Sequence, residues 1–222
     1  MADEQDLLLR EIDEELKQDN LQRIWNSYGM LIVGGAVALV VGVAAYKGWQ
    51  AYDLKQRTAT AAQFSVAQEL ASGGKPDAAK EAFSKIAADA GAGYGMLARF
   101  QMAALSANNG DAAAAAGAYE LIANDDKLES VYRDLAVVLG ALSELNSKSG
   151  ATALTARAEK LATGNGPWRY TAKEVSALSA LKNGDNKTAH TRYDALTKDA
   201  AAPQGLRNRA REMLNVLSGN RG

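Results

Sequence analysis

The chain has 222 residues, of which 47% are hydrophobic and 23% charged, with a formal net charge of −1. It has no cysteine, which excludes a disulfide, a thiol nucleophile, an iron–sulfur cluster and a cysteine-borne lipid. The near balance hides a split: residues 1–23 carry eight acids and three bases, leaving 22 bases and 18 acids beyond, and neither part has the dense basic patch of a nucleic-acid binder.

The acidic stub, residues 1–23, places Leu8, Ile12 and Leu16 at helical spacing. That permits a short amphipathic helix, although a solvated stub is the favoured reading. Between Arg23 and Lys47 there follow 23 uncharged residues, 24–46, including "YGMLIVGGAVALVVGVAAY". As a helix they would be about 34 Å long, against a bilayer hydrocarbon core of roughly 30 Å. Eight strongly apolar side chains (Leu31, Ile32, Val33, Val37, Leu39, Val40, Val41 and Val43) supply about 2.4 to 5 kcal/mol of insertion energy, reduced by four glycines. Arg23, Trp25 and Tyr28 at one end, and Tyr46, Lys47, Trp49 and Tyr52 at the other, match the aromatic and cationic anchors of two interfaces.

A cleaved export signal has a short basic leader and a core of about 7 to 15 apolar residues. Here the leader is long and acidic and the core longer, so a retained anchor is the favoured reading, even though Val43-Ala44-Ala45 mimics a cleavage site. Gly34, Ala38 and Gly42 stand at i, i+4 and i+8, a small-residue face that admits close approach of another membrane helix, although small residues are common in such spans. Orientation is a tie by charge: Arg10, Lys17 and Arg23 before the span face Lys47, Lys55 and Arg57 after it.

After a short helical linker, 47–57, the pattern from residue 58 to 222 is helical throughout, with only three prolines in the whole chain. It is periodic. "GKPDAAKEAFSKIA" (74–87), "GDAAAAAGAYELIA" (110–123) and "GDNKTAHTRYDALT" (184–197) each read as a turn followed by a helix. They align Gly74, Gly110 and Gly184; Ala79, Ala115 and Ala189; and Phe83, Tyr119 and Tyr193. Each is preceded by an apolar-periodic helix (61–71, 97–107, 170–181) bearing Ala67, Ala103 or Ala177 twelve residues before the matched alanine. A small residue opposite a small residue lets two helices pack closely, and the aromatic four residues on fills the space between hairpins. Pro76 suits a first helical turn, and Asp111 and Asp185 are candidate N-caps. Val131–Leu145 and Ala151–Leu161 read as a degenerate hairpin without this signature. "LRNRAREMLNVL" reads as a capping helix, with Leu206, Ala210, Met213, Leu214 and Leu217 on one face and Arg207, Arg209 and Arg211 on the other.

Catalytic chemistry finds no foothold. His190 is the one histidine and has no neighbours at metal-ligand spacing. "GAGYG" (91–95) lacks the strand and spacing of a dinucleotide loop and reads as a turn between repeats; "TGNGPWRY" (163–170) reads as a helix breaker. The acid pairs Glu14–Glu15 and Asp125–Asp126 read as solvated surface. No catalytic residue, cofactor, metal or small-molecule substrate is assigned, and the expectation is a non-enzyme.

The spacing of small residue, alanine and aromatic resembles tetratricopeptide repeats, although the proline that usually closes each repeat is mostly missing. The acidic stub ending "DEELKQDNLQRIWNSYG", the single span, the "GWQAY" exit, the divergent repeats and the closing "APQGLRNRAREML" together resemble the YfgM-like family, bacterial ancillary subunits of the SecYEG translocon. That resemblance implies an inner-membrane protein with a cytoplasmic N-terminus and a periplasmic repeat domain, partnered by translocon subunits and periplasmic chaperones. The expected fold is all-α, one N-terminal transmembrane helix followed by a tetratricopeptide-like solenoid. Phe64, Gln68, Phe100, Glu174 and Leu178, on the first helices, are the candidate groove residues, with a core role for both phenylalanines as the competing reading. A scaffold for another envelope complex, and a regulator acting through the stub, are the competing functions.

Overall fold

The computed structural model describes residues 2–147 and 153–219, with the side chains of 2–21, 24, 92 and 219 outside the described set. Within it lie α1 (Ala2–Ser72), α2 (Pro76–Asp89), α3 (Ala92–Asn108), α4 (Ala112–Ala123) and α5 (Ser130–Asn146), then α6 (Ala153–Ala162), α7 (Arg169–Lys182), α8 (Asn186–Lys198) and α9 (Gln204–Gly219). No strand occurs among the described residues, so the fold is all-α as the sequence predicts. The chain divides into two units, Met1–Thr58 and Ala59–Gly222.

In the first unit α1 runs through the apolar stretch without a break. No proline interrupts it, and Arg57 and Asp53 close an i, i+4 ion pair at 2.8 Å. The eight apolar side chains from Leu31 to Val43 are 49–72% exposed, where the helix of a soluble core would be buried. The side chains of Leu8, Ile12 and Leu16, and of the pair Glu14–Glu15, lie outside the described set.

The second unit begins with the last turns of α1 and is a run of antiparallel hairpins: α1 with α2, α3 with α4, α5 with α6, and α7 with α8, closed by α9. The three matched glycines decide where the hairpins turn. Gly74, Gly110 and Gly184 have φ of 71°, 83° and 80°, a left-handed backbone that costs other residues energy. The amide one residue later donates back to the helix just ended, Lys75 to Leu70 O, Asp111 to Ser106 O and Asp185 to Ala180 O, at 2.9 to 3.0 Å. This 6→1 bond marks a Schellman termination. Asp111 and Asp185 then cap the next helix, their carboxylates accepting from Ala114 N at 3.0 Å and Thr188 N at 2.9 Å. Pro76 opens α2 without a side-chain cap.

The predicted small-residue contacts are all in the interior: Ala67, Ala79, Ala103, Ala115, Ala177 and Ala189 are completely buried, as are Phe83, Tyr119 and Tyr193 to within a few per cent. Burying a Phe-sized side chain stabilises by about 1.5–3 kcal/mol, so these three rings are major contributors. Two of the first helices, α3 and α7, each serve two neighbouring cores. Ala98 and Leu105 of α3 join the first hairpin's cluster, while Met96 and Ala103 of the same helix join the next. Likewise α7 sends Ala172 and Val175 to the central cluster and Ala177 and Ala180 to the last. Such nearest-neighbour coupling is what holds a solenoid together.

The degenerate hairpin is built by a different arrangement. Gly140 of α5 faces Leu154 of α6, and a Cβ added at Gly140 would lie 2.5 Å from Leu154 Cδ1 and 2.9 Å from Tyr119 Cβ. A glycine against a leucine thus replaces an alanine against an alanine. The capping aspartate is replaced from a distance: Glu144, buried on α5, accepts from Leu154 N (3.1 Å), Thr155 N (2.8 Å) and Thr155 Oγ1 (2.9 Å) at the start of α6. Residues 151 and 152, at the head of the predicted second helix, lie outside the described residues.

Two sequence expectations change. "GAGYG" is a turn only at Gly91; Ala92 already begins α3, whose first turn passes so near the preceding chain that a Cβ on Gly95 would sit 3.1 Å from Ala90 O. Asp125 is not simply solvated: the turn after α4 brings it to Arg99, 2.7 Å away. That hydrogen bond, and next the Lys127 amide at 3.1 Å, hold its carboxyl below the usual carboxylate range. In α9, Leu206, Ala210 and Leu217 are buried and Met213 and Leu214 half-buried, forming the predicted apolar face.

Candidate functional site

The first helices carry the candidate groove positions in a strict register. Phe64, Phe100 and Glu174 are equivalent under the repeat offsets, as are Gln68 and Leu178. The first position lies beside the recurring aromatic of the same hairpin in the first two occurrences. Phe64 meets Phe83 edge-on at 5.2 Å between centroids and Tyr94 at 5.6 Å, and Phe100 meets Tyr119 at 6.0 Å. Both phenylalanines are half-buried against core clusters.

At the third occurrence a carboxylate stands in place of the ring. Glu174 is held by both arms of Arg209 of α9, each oxygen accepting at 2.8 Å, a bidentate pair that docks the capping helix. It also lies near Tyr193, whose phenol is pushed up to about 12 by burial first and by the Glu174 charge second. Burial alone pushes the Tyr119 phenol up. Leu178 is half-buried against the central cluster.

Gln68 lines an open depression. This hollow, about 520 Å³, lies between α1 and α3 and is bounded by Ser65, Gln68 and Glu69 on the first helix and Gln101, Leu105 and Asn108 on the second. Ser65 and Gln101, Glu69 and Leu105, and Ser72 and Asn108 stand 36 residues apart, so one repeat surface faces its own copy. Among the described residues, Ser65, Gln68, Gln101 and Asn108 make no side-chain hydrogen bond.

A second depression, about 530 Å³, lies among α6, α7 and α8 and is lined by Glu159, Lys173, Arg192 and Asp199. Its charges are used internally: Arg192 meets Glu159 at 3.3 Å and donates to Ser176 O at 2.7 Å, and Lys173 meets Asp199 at 3.4 Å. The Ala201 amide, then Lys173, hold the Asp199 carboxyl below its usual range.

Contacts between successive hairpins recur at about one repeat in sequence. Trp168 Nε1 donates to Val131 O at 2.7 Å across 37 residues, Arg157 to Asn124 at 2.9 Å across 33, and Arg192 to Glu159 across 33. Sequence reasoning missed these partners, and Glu144 with them, because each bond depends on how neighbouring hairpins are rotated. The hint available was charge or an indole placed one period apart.

On the apolar helix the anchor side chains Trp25, Tyr28, Tyr46 and Trp49 are exposed, as are Arg23 and Lys47. Trp25 and Trp49 are 24 positions apart on the helix, about 36 Å, enough to place one at each edge of a bilayer core. Ala38 is exposed, and a Cβ added at Gly34 or Gly42 would meet nothing within 4 Å. Among the described residues no group of three His, Asp or Glu side chains is placed to hold a metal, and His190 is half-buried on α8.

A series of helical hairpins, three of them turned at a left-handed glycine and packed through buried alanines, defines a helical-repeat protein of the kind that works by binding other proteins. The tetratricopeptide repeat-like domain matches residues 22–216, and the chain belongs to that family. The match points to no catalytic activity. Comparisons with curated proteins and with solved structures returned no match. The one long apolar helix among the described residues is consistent with a single-pass membrane anchor.

Proposed function

We propose that this chain is a membrane-anchored protein-binding scaffold, serving as an ancillary subunit of the Sec translocon and linking it to periplasmic chaperones. The observation that carries the anchored scaffold is the union, in one chain, of an exposed apolar helix of bilayer length with a family of hairpin repeats. The family match starting at residue 22 takes in that helix together with the hairpins, which favours a retained anchor over a cleaved signal. The translocon and its chaperones come from the YfgM-like resemblance of the stub, span exit and closing segment. That resemblance sets the N-terminus in the cytoplasm and the repeats in the periplasm of a bacterial inner membrane. Export of long domains is largely indifferent to their charge, so the tie in flanking cations is compatible with this topology.

Affinity purification of the full chain from mild detergent, with identification of bound proteins, tests the reading. Recovery of channel subunits and periplasmic chaperones supports it. A photocrosslinker at Gly34, Ala38 or Gly42 asks whether that face touches a channel helix. Adducts with lipid alone, together with recovery of a different envelope complex, would make the span a simple tether and move the scaffold elsewhere. Removal of residues 2–20 should leave the partners unchanged; their loss would favour a regulator acting through the stub.

A further inference from the structure

We propose that Asn165–Gly166, in the turn joining α6 to α7, is a site of spontaneous covalent modification at which the asparagine closes on the next amide and becomes isoaspartate. The fold shields two identical dipeptides elsewhere in the chain from the same reaction.

The sequence holds three such pairs: Asn109–Gly110, Asn165–Gly166 and Asn183–Gly184. In each, the glycine carries no Cβ to obstruct an approach to its nitrogen. The reaction needs no partner but water. The Gly166 nitrogen bonds to Asn165 Cγ and gives up its proton, the Cγ–Nδ2 bond breaks, and Nδ2 leaves as ammonia with that proton. The five-membered succinimide then takes up one water. Opening at Cγ yields aspartate, while opening at the main-chain carbonyl yields isoaspartate, whose main chain runs through Cβ and Cγ.

Ring closure requires the glycine nitrogen to be free and to swing until it eclipses the asparagine Cβ. At the two hairpin turns both conditions fail. Asn109 and Asn183 end α3 and α7 with ψ of 6° and 2°, which holds the next nitrogen well away from Cβ. Gly110 N and Gly184 N donate to Ala107 O at 3.1 Å and Leu181 O at 3.0 Å, and the Asp111 and Asp185 amides fasten the same turns one residue later. Asn165 is exposed and outside any helix, and Gly166 N donates to no acceptor among the described residues. Arg169 Nη1 lies 3.5 Å from the Asn165 carbonyl oxygen, so a positive charge sits beside the peptide unit that must release a proton.

The position gives the modification a consequence. The turn ends at Trp168, whose indole donates to Val131 O at 2.7 Å and ties the fourth hairpin to the third. Isoaspartate lengthens the main chain by a methylene and places a new negative charge at this joint.

The test incubates the purified full chain in detergent at mildly alkaline pH, folded and, in parallel, unfolded in guanidinium chloride. Trypsin puts the three sites into separate peptides, 100–127, 161–169 and 183–187, and digestion in heavy-oxygen water marks any amide lost during the digest. In the folded chain Asn165 should lose its amide at least about tenfold faster than Asn109 or Asn183, which react only after local opening, and the unfolded chain should bring the three within about threefold. Isoaspartate should exceed aspartate at position 165. A Cβ added at Gly166 meets nothing within 4 Å, so Gly166→Ala should keep the circular dichroism of the wild type while slowing the loss at Asn165 about tenfold. Equal rates at the three sites in the folded chain, an unreactive Asn165, a gap that persists in guanidinium chloride, aspartate as the sole product, or undiminished conversion in Gly166→Ala would each overturn the proposal.

Discussion

Gly140→Ala and Gly117→Ala are the same substitution in two helix interiors, and the structure assigns them opposite signs. Alanine is favoured over glycine within a helix by about 1 kcal/mol, and at Gly117 nothing lies within 4 Å of the added Cβ. Gly117→Ala should therefore stabilise by roughly 0.5–1 kcal/mol. At Gly140 the same Cβ would meet Leu154 Cδ1 at 2.5 Å and Tyr119 Cβ at 2.9 Å. The leucine methyl belongs to a side chain only 1% exposed, with little room to turn, and the tyrosine Cβ is fixed to its own helix. Overpacking costs about 1–3 kcal/mol, which exceeds the propensity gain, so a net loss of about 1 kcal/mol is expected. For a unit of this size that is a melting shift of roughly 2–4 °C downward, against a small rise for Gly117→Ala. Trp168 is the reporter, because its indole bonds to Val131 O on α5; Trp25→Phe and Trp49→Phe remove the background from α1. Urea or thermal unfolding of the full chain in detergent, followed by Trp168 emission, measures both variants. Equal stabilisation by the two alanines would refute the close packing of α5 on α4 and α6.

Glu144→Ala should cost about 2–4 kcal/mol in the same assay, since it strands the buried amides of Leu154 and Thr155; an effect below 0.5 kcal/mol would show that α6 does not depend on this cap. Alkali should weaken the repeat unit: the Tyr193 phenol is pushed up to about 12 when folded, while the unfolded chain ionises near 10. Stability is then intact below pH 10 and falls as the pH rises towards 12, and Tyr193→Phe should flatten that part of the profile. Unchanged pH dependence in Tyr193→Phe would count against the burial of this ring. Leu39→Arg places a charge at the centre of the apolar helix at a cost of about 2.5–3.5 kcal/mol, comparable to the whole insertion energy; the variant should leave the membrane fraction, and full retention would rule out the anchor.

Much of the repeat unit was legible because its rules are local. A glycine two residues before a helix, an alanine twelve residues after another and an aromatic four further on report backbone handedness and helix spacing that any copy of the hairpin must satisfy. Gly74, Gly110 and Gly184 have the positive φ that the turn demands, and Asp111 and Asp185 cap as their positions suggest. The candidate site was less legible. Phe64 and Phe100 could be read from their spacing as either surface or core, and only the position of Phe83 and Tyr119 beneath them sets their half-buried state.

What the sequence by itself determined is the period, the helical class and an uncharged segment of bilayer length, all of which follow from residue type and spacing along one chain. What only the tertiary structure decided is how the copies depart from that rule. Glycine faces leucine where alanine faced alanine, Glu144 caps α6 from a neighbouring helix, and Glu174 turns from the register of an aromatic neighbour to grip Arg209 across 35 residues. The physical reason is that such contacts depend on the rotation and separation of packed helices, and these are set by all the side chains between them rather than by any one interval in the chain.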